Sequence, residues 1–116
     1  MRDWAALRER YLRDSLAVRL GGLAANLRRI RSFAGSDRNR EATEGLIEES
    51  KLLIEWTASE ATPEAAAELV ELQIELARWQ LQWNGIWSDP ARRGQLAEQS
   101  HVWSDRVLGL SGLLSS

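Results

Sequence analysis

Residues 62–90 read TPEAAAELVELQIELARWQLQWNGIWSDP, and this stretch decides the fold. Thr62-Pro63 and Asp89-Pro90 each set a capping side chain before a proline at the first helical position, where the missing N–H costs nothing. A helix therefore starts at each proline. Between them Ala65, Leu69, Leu72, Leu76, Trp79, Trp83 and Ile86 alternate steps of four and three, the spacing of a helix that buries one seam.

The same grammar extends outward. Downstream, Leu96, Ser100, Trp103, Val107, Leu110 and Leu114 repeat the seam spacing. Upstream, Ala42, Leu46, Leu53 and Trp56 lie on one side of a helix, with Glu41, Glu44, Glu48, Lys51 and Glu55 on the other. Gly35-Ser36-Asp37-Arg38-Asn39 supplies a C-terminal glycine followed by N-cap residues, ending one helix near Ala34 and opening the next near residue 38. Helices are expected at about 3–34, 38–59, 63–87 and 90–113. Connections this short place neighbours antiparallel, so the expected fold is all-α, an up-down four-helix bundle forming a single domain over residues 1–116.

The first helix carries two stripes. Leu16, Leu20, Leu23, Leu27, Ile30 and Ala34 form one, while Trp4, Leu7, Tyr11 and Val18 form another about 145 degrees away around the axis. The buried face thus changes side along the helix, and Gly21-Gly22 is the expected kink or, alternatively, a point of close helix approach.

Composition narrows the function. The chain has no cysteine, which removes disulfides, thiolate metal sites and cysteine nucleophiles and suits a cytoplasmic setting. No apolar run approaches the roughly 20 residues needed to cross a bilayer, and MRDWAALRER lacks the apolar segment of a signal peptide. Fourteen arginines against one lysine, Lys51, fit the codon usage of a GC-rich bacterial genome. Charge is partitioned: residues 1–40 carry a net +6, residues 41–89 a net −9 and residues 90–116 a net +1. Arg28, Arg29 and Arg31 form a candidate anion-binding cluster, but a pI near 5.5 argues against a nucleic-acid module. The partition instead favours pairing of the basic first helix with the acidic middle of the chain. Glu49 falls on an apolar arc and is expected to need an arginine, Arg13 or Arg31.

Two features point to binding. The third expected helix has a second apolar stripe, Val70, Ile74, Ala77 and Leu81, beyond what one bundle buries. With Trp4, Leu7, Tyr11, Val18 and Trp87 it makes a candidate partner-binding surface, most simply for a homodimer. Alternatively the N-terminal segment folds back over the third helix within one chain. Separately, six tryptophans stand beside one Phe and one Tyr. Trp79, Trp83 and Trp87 are four apart, and Trp103 is expected to meet them, so a small-molecule or tetrapyrrole site is the alternative function.

His101 is the sole histidine. Glu98-Gln99-Ser100-His101 matches the Glu-x-x-His of carboxylate-bridged metal bundles, but the face it shares with Glu98 and Asp105 points away from the seam, so no metal site is expected. Its position on a helical bundle has a thin resemblance to histidine phosphotransfer proteins, from which the acidic neighbours Glu98 and Asp105 depart. The sequence therefore reads as a non-enzymatic helical protein–protein interaction module (a regulatory subunit, adaptor or assembly factor) with no cofactor; ligand binding and histidine phosphotransfer are the alternatives.

Overall fold

The computed structural model describes residues 3–111 and is all-helical. Among the described residues six α-helices follow one another: α1 (Trp4–Arg13), α2 (Leu16–Phe33), α3 (Arg40–Thr57), α4 (Pro63–Leu81), α5 (Trp83–Ser88) and α6 (Pro90–Ser111), with short 3-10 turns at Asp37–Asn39 and Ala58–Glu60. Leu114 and the expected last two helical positions lie outside the described residues.

Six helices replace the four expected because two of those helices are broken. The first break falls at Asp14-Ser15, not at the glycines. Ser15 takes an extended backbone and its hydroxyl accepts from the Val18 N–H at 3.2 Å, capping α2 anew. Helix α2 then runs unbroken through Gly21-Gly22, and a Cβ placed at Gly22 would meet the Tyr11 ring at no closer than ordinary contact distance. The second break is at Gln82, whose side-chain oxygen accepts from Arg92 at 2.6 Å, and α5 restarts at Trp83 without a capping side chain.

Helix α2 organises the core. It packs on α3 along one side and on α6 along the other, while α4 lies mainly against α3 and α5 against α6. Arg28 meets Ser104 and Arg31 meets His101, so α2 and α6 run in opposite directions. Leu20, Leu23, Leu27 and Ile30 of α2, Ile47 and Ile54 of α3, Leu69, Leu72 and Leu76 of α4, and Leu96 and Val107 of α6 are the largest of the fully enclosed apolar side chains. The bend at Asp14-Ser15 lets α1 turn its own stripe onto α3: Tyr11 is buried, with its ring 6.1 Å from that of Trp56. The N-terminal segment thus covers the second of the expected helices, not the third.

Two polar groups are locked inside this frame. Arg19 is 4% exposed and makes a two-pronged ion pair with Glu60 at 2.7 and 2.9 Å. The Tyr11 hydroxyl donates to the Arg19 carbonyl at 2.7 Å and receives a bond from Thr57 at 3.3 Å. This knot joins α1, α2 and the end of α3. Glu49 is also buried, and it accepts from Asn26 at 2.6 Å, while Arg29 donates to the Asn26 oxygen at 3.0 Å. The expected arginines are engaged elsewhere, because Arg13 pairs with Glu9 along exposed α1 and Arg31 reaches across to α6.

Hydrogen bonds from Arg19 hold the Glu60 carboxyl below its ordinary value of 4.5, and burial pushes the Tyr11 phenol above 10.0. A lowered carboxyl value means stability that is present above about pH 4.5 and lost as pH falls through the folded value. A raised phenol value means stability lost as pH climbs beyond 10.0. Denaturant titrations should therefore find the gap between wild type and Glu60→Gln open at pH 7 and closing in acid; a gap independent of pH contradicts the assignment. A second expectation concerns Asn26→Ala, which removes a donor to a buried carboxylate and should cost about 1.5–3 kcal/mol. The loss should shrink in a Glu49→Leu background, as a double-mutant cycle by urea unfolding reads directly.

Candidate interaction surface

Among the described residues most of the large apolar side chains are covered, and those left in water are Val18, Val70, Ile74, Leu81 and Val102. Val18 on α2 and Val102 on α6 stand singly, which is ordinary for a folded surface. Val70, Ile74 and Leu81 do not. They are 51%, 49% and 87% exposed and line up along one helix, α4.

The stripe follows from helical phase. Ala65, Leu69, Leu72, Leu76 and Trp79 are the buried residues of α4. Ala67, Val70, Ile74, Ala77 and Leu81 repeat the same three-and-four spacing about 160 degrees away at about 100 degrees per residue. Helix α4 therefore has two seams, one filled by the chain's own core and one open. Polar strips separate them. On one flank Glu71 and Arg78 are about two thirds exposed, Glu71 lying 3.5 Å from Arg106 of α6 and Arg78 lying 3.6 Å from Glu75. On the other flank stand Gln73 and Gln80, and Gln80 accepts from Lys51 of α3 at 2.7 Å.

The N-terminal residues of the expected surface are placed differently. Tyr11 is inside the chain, Trp4 and Leu7 are half-buried, and Val18 sits beyond the break on a separate helix. Trp87 is buried too, because Arg93 lies 5.1 Å over its ring and Trp83 packs beside it at 5.2 Å between centroids. Arg93 also pairs with Asp37, which ties the start of α6 to the turn after α2.

The tryptophans do not form one ladder. Trp79 donates to Glu75 at 3.1 Å and borders a groove of about 170 Å³ between α4 and α6, smaller than the roughly 300 Å³ or more of typical ligand pockets. Arg106 bonds Glu68 while Trp79 shares its groove with Gln95, so Trp103 lies level with residue 71, roughly 12 Å along the helix from Trp79. Trp103 instead lies under the Arg106 guanidinium at 3.9 Å.

The arginine cluster also divides. Arg29 turns toward Asn26, whereas Arg28 bonds Ser104 at 3.3 Å and lies 3.6 Å from Asp105. Arg28, Arg31, Ser32 and His101 line a depression of about 390 Å³ on the α2–α6 face. His101 is not set apart in water as its phase suggested: its Nδ1 lies 3.0 Å from Arg31 and its Nε2 lies 3.7 Å from Asp105. If Arg31 donates to Nδ1, the ring carries its proton on Nε2. Among the described residues no group of three or more histidine or acidic side chains is placed to hold a metal ion, and no helix is long and apolar enough to cross a membrane.

The signal for the open seam was present in the sequence as the stripe of residues 70, 74, 77 and 81. Its charged edges, Glu71 and Arg78, were not, since a charged residue on a helix ordinarily marks only a solvated position. The Arg19–Glu60 pair was missed altogether, because no sequence pattern brings residues 41 apart together. Comparison with family models, with characterised proteins and with solved structures finds no match to this chain.

Proposed function

We propose that this protein is a non-enzymatic helical interaction module, acting as a regulatory subunit, adaptor or assembly factor, with the outer face of α4 as its docking surface. The carrying observation is the alignment of Val70, Ile74 and Leu81 on one helix while the other large apolar residues among those described are covered or isolated. Apolar side chains at seam spacing on a rigid helix are the complement of another amphipathic helix, which would lay its own stripe against them. The finer architecture fits this role: α2, α3, α4 and α6 are read as an up-down bundle, with α1 and α5 as short additions that close its sides and one end.

The other functions have less support. Stacked or buried indoles at Trp79, Trp83 and Trp87 act as core, and Trp103 is held by Arg106 at a different level. At His101, one ring nitrogen faces Arg31 and the other faces a carboxylate, which would repel an incoming phosphoryl group.

The test uses a photo-crosslinking amino acid at position 74 in the host cell, with the same residue at exposed Arg10 and Glu98 as controls. Adducts to a polypeptide should form from position 74 and disappear when Leu81→Glu is added. Equal labelling from all three positions, or none from 74, overturns the proposal. Ile74→Glu and Leu81→Glu should each change folding stability by only about 0.5 kcal/mol, because both side chains are outside the core.

A further inference from the structure

The docking reading leaves the partner unnamed, and the flanks of the open seam identify it. In heptad terms Ala67, Ile74 and Leu81 occupy one core position and Val70 and Ala77 the other, Glu71 and Arg78 form one flank, and Gln73 and Gln80 form the opposite flank. A partner helix running parallel would bring unlike flanks together, charged against glutamine. A partner running antiparallel brings each flank against its own kind. For a second α4 rotated by a twofold axis, Glu71 then meets Arg78 of the other copy and Arg78 meets its Glu71. The two flanks of one helix are thus electrostatically self-complementary in one orientation only.

Resting on the docking reading above, we propose that the occupant of the outer face of α4 is a second copy of this chain, with the two α4 helices antiparallel. Val70 then packs across from Leu81 of the second copy, and Ile74 across from its Ala77. Glu71–Arg78 pairs close both ends of one edge, and Gln73 faces Gln80 along the other. The charged side chains are available for this. Glu71 is 65% exposed and Arg78 is 66% exposed, and their contacts within the chain, at 3.5 and 3.6 Å, are longer than a direct charge-assisted hydrogen bond. A twofold axis also places identical surfaces against each other, so closure needs no second patch. The seam runs roughly 21 Å from residue 67 to residue 81, a narrow contact beside the roughly 800 Å² per partner of a standard interface, so the dimer should assemble and dissociate with concentration.

Sedimentation equilibrium from about 10 to about 500 μM tests this, since weak dimers populate over such a range. The expected result is a mass rising from 13.1 kDa toward twice that value. Glu71→Arg alone and Arg78→Glu alone should each weaken association by about tenfold or more, because two attractive pairs become two like-charge pairs. The double exchange Glu71→Arg/Arg78→Glu should restore it, with circular dichroism showing each variant folded. Dimerisation indifferent to the exchange overturns the antiparallel register. A mass fixed at 13.1 kDa overturns self-association. In that case crosslinks from position 74 to a different polypeptide would leave the docking reading standing, and their absence would remove both.

Discussion

The close approach of α6 to α2 is the constraint on which the remaining arrangement depends. Ser100 and Ser104 of α6 are fully enclosed and Ala24 of α2 is nearly so, and Ser104 donates to the Ala24 carbonyl at 2.9 Å. Side chains this small allow two helix backbones to come close, and the serine hydroxyl at 104 finds its acceptor in the facing backbone. With α6 committed to α2 and α3 covering the opposite side, α4 is left at the edge, packed chiefly on α3 and joined to α6 by Arg106 and the ion pairs it makes with Glu68 and Glu71. An edge helix has an outer face by necessity. What is unusual is that this one carries a second apolar seam there.

Much of the architecture could be read from punctuation and period. The prolines at 63 and 90 start α4 and α6, Gly35 lies in the turn after α2, and the seam of α4 is the one the alternation of three and four assigned. The breaks were harder. A change of buried face in the first helix left a kink or a close helix approach at Gly21-Gly22 as alternatives, and neither placed the break at Ser15, an N-cap residue with a free amide to bind at Val18. Gln82 offers no such signal, since neither proline nor glycine occupies it, and its departure from helix goes with a side-chain bond to Arg92 that only the folded chain supplies.

Charge partition was informative at the level of segments and uninformative at the level of pairs. The basic first third does lie beside acidic residues, through Arg19 with Glu60 and through Arg29, Asn26 and Glu49 in relay. Yet the expected arginines, Arg13 and Arg31, are engaged elsewhere, and Asn26 donates to Glu49. An amide can serve both neighbours at once, giving its N–H to the carboxylate and its oxygen to Arg29, so the cation stays at the surface while its influence reaches inward. No counting of acids and bases predicts such a relay.

The same logic of side-chain placement bears on α4. A single exposed isoleucine carries no meaning on a folded surface, because apolar atoms make up much of any protein's exterior. Five small or apolar residues at seam spacing, opposite a filled seam and edged by polar strips, are a different object, since independent surface positions have no reason to keep helical phase over four turns. Exposure of 87% at Leu81 costs the isolated chain apolar area in water, and nothing in the core requires leucine there. Under the docking proposed above, another helix laid against the outer face of α4 would cover it.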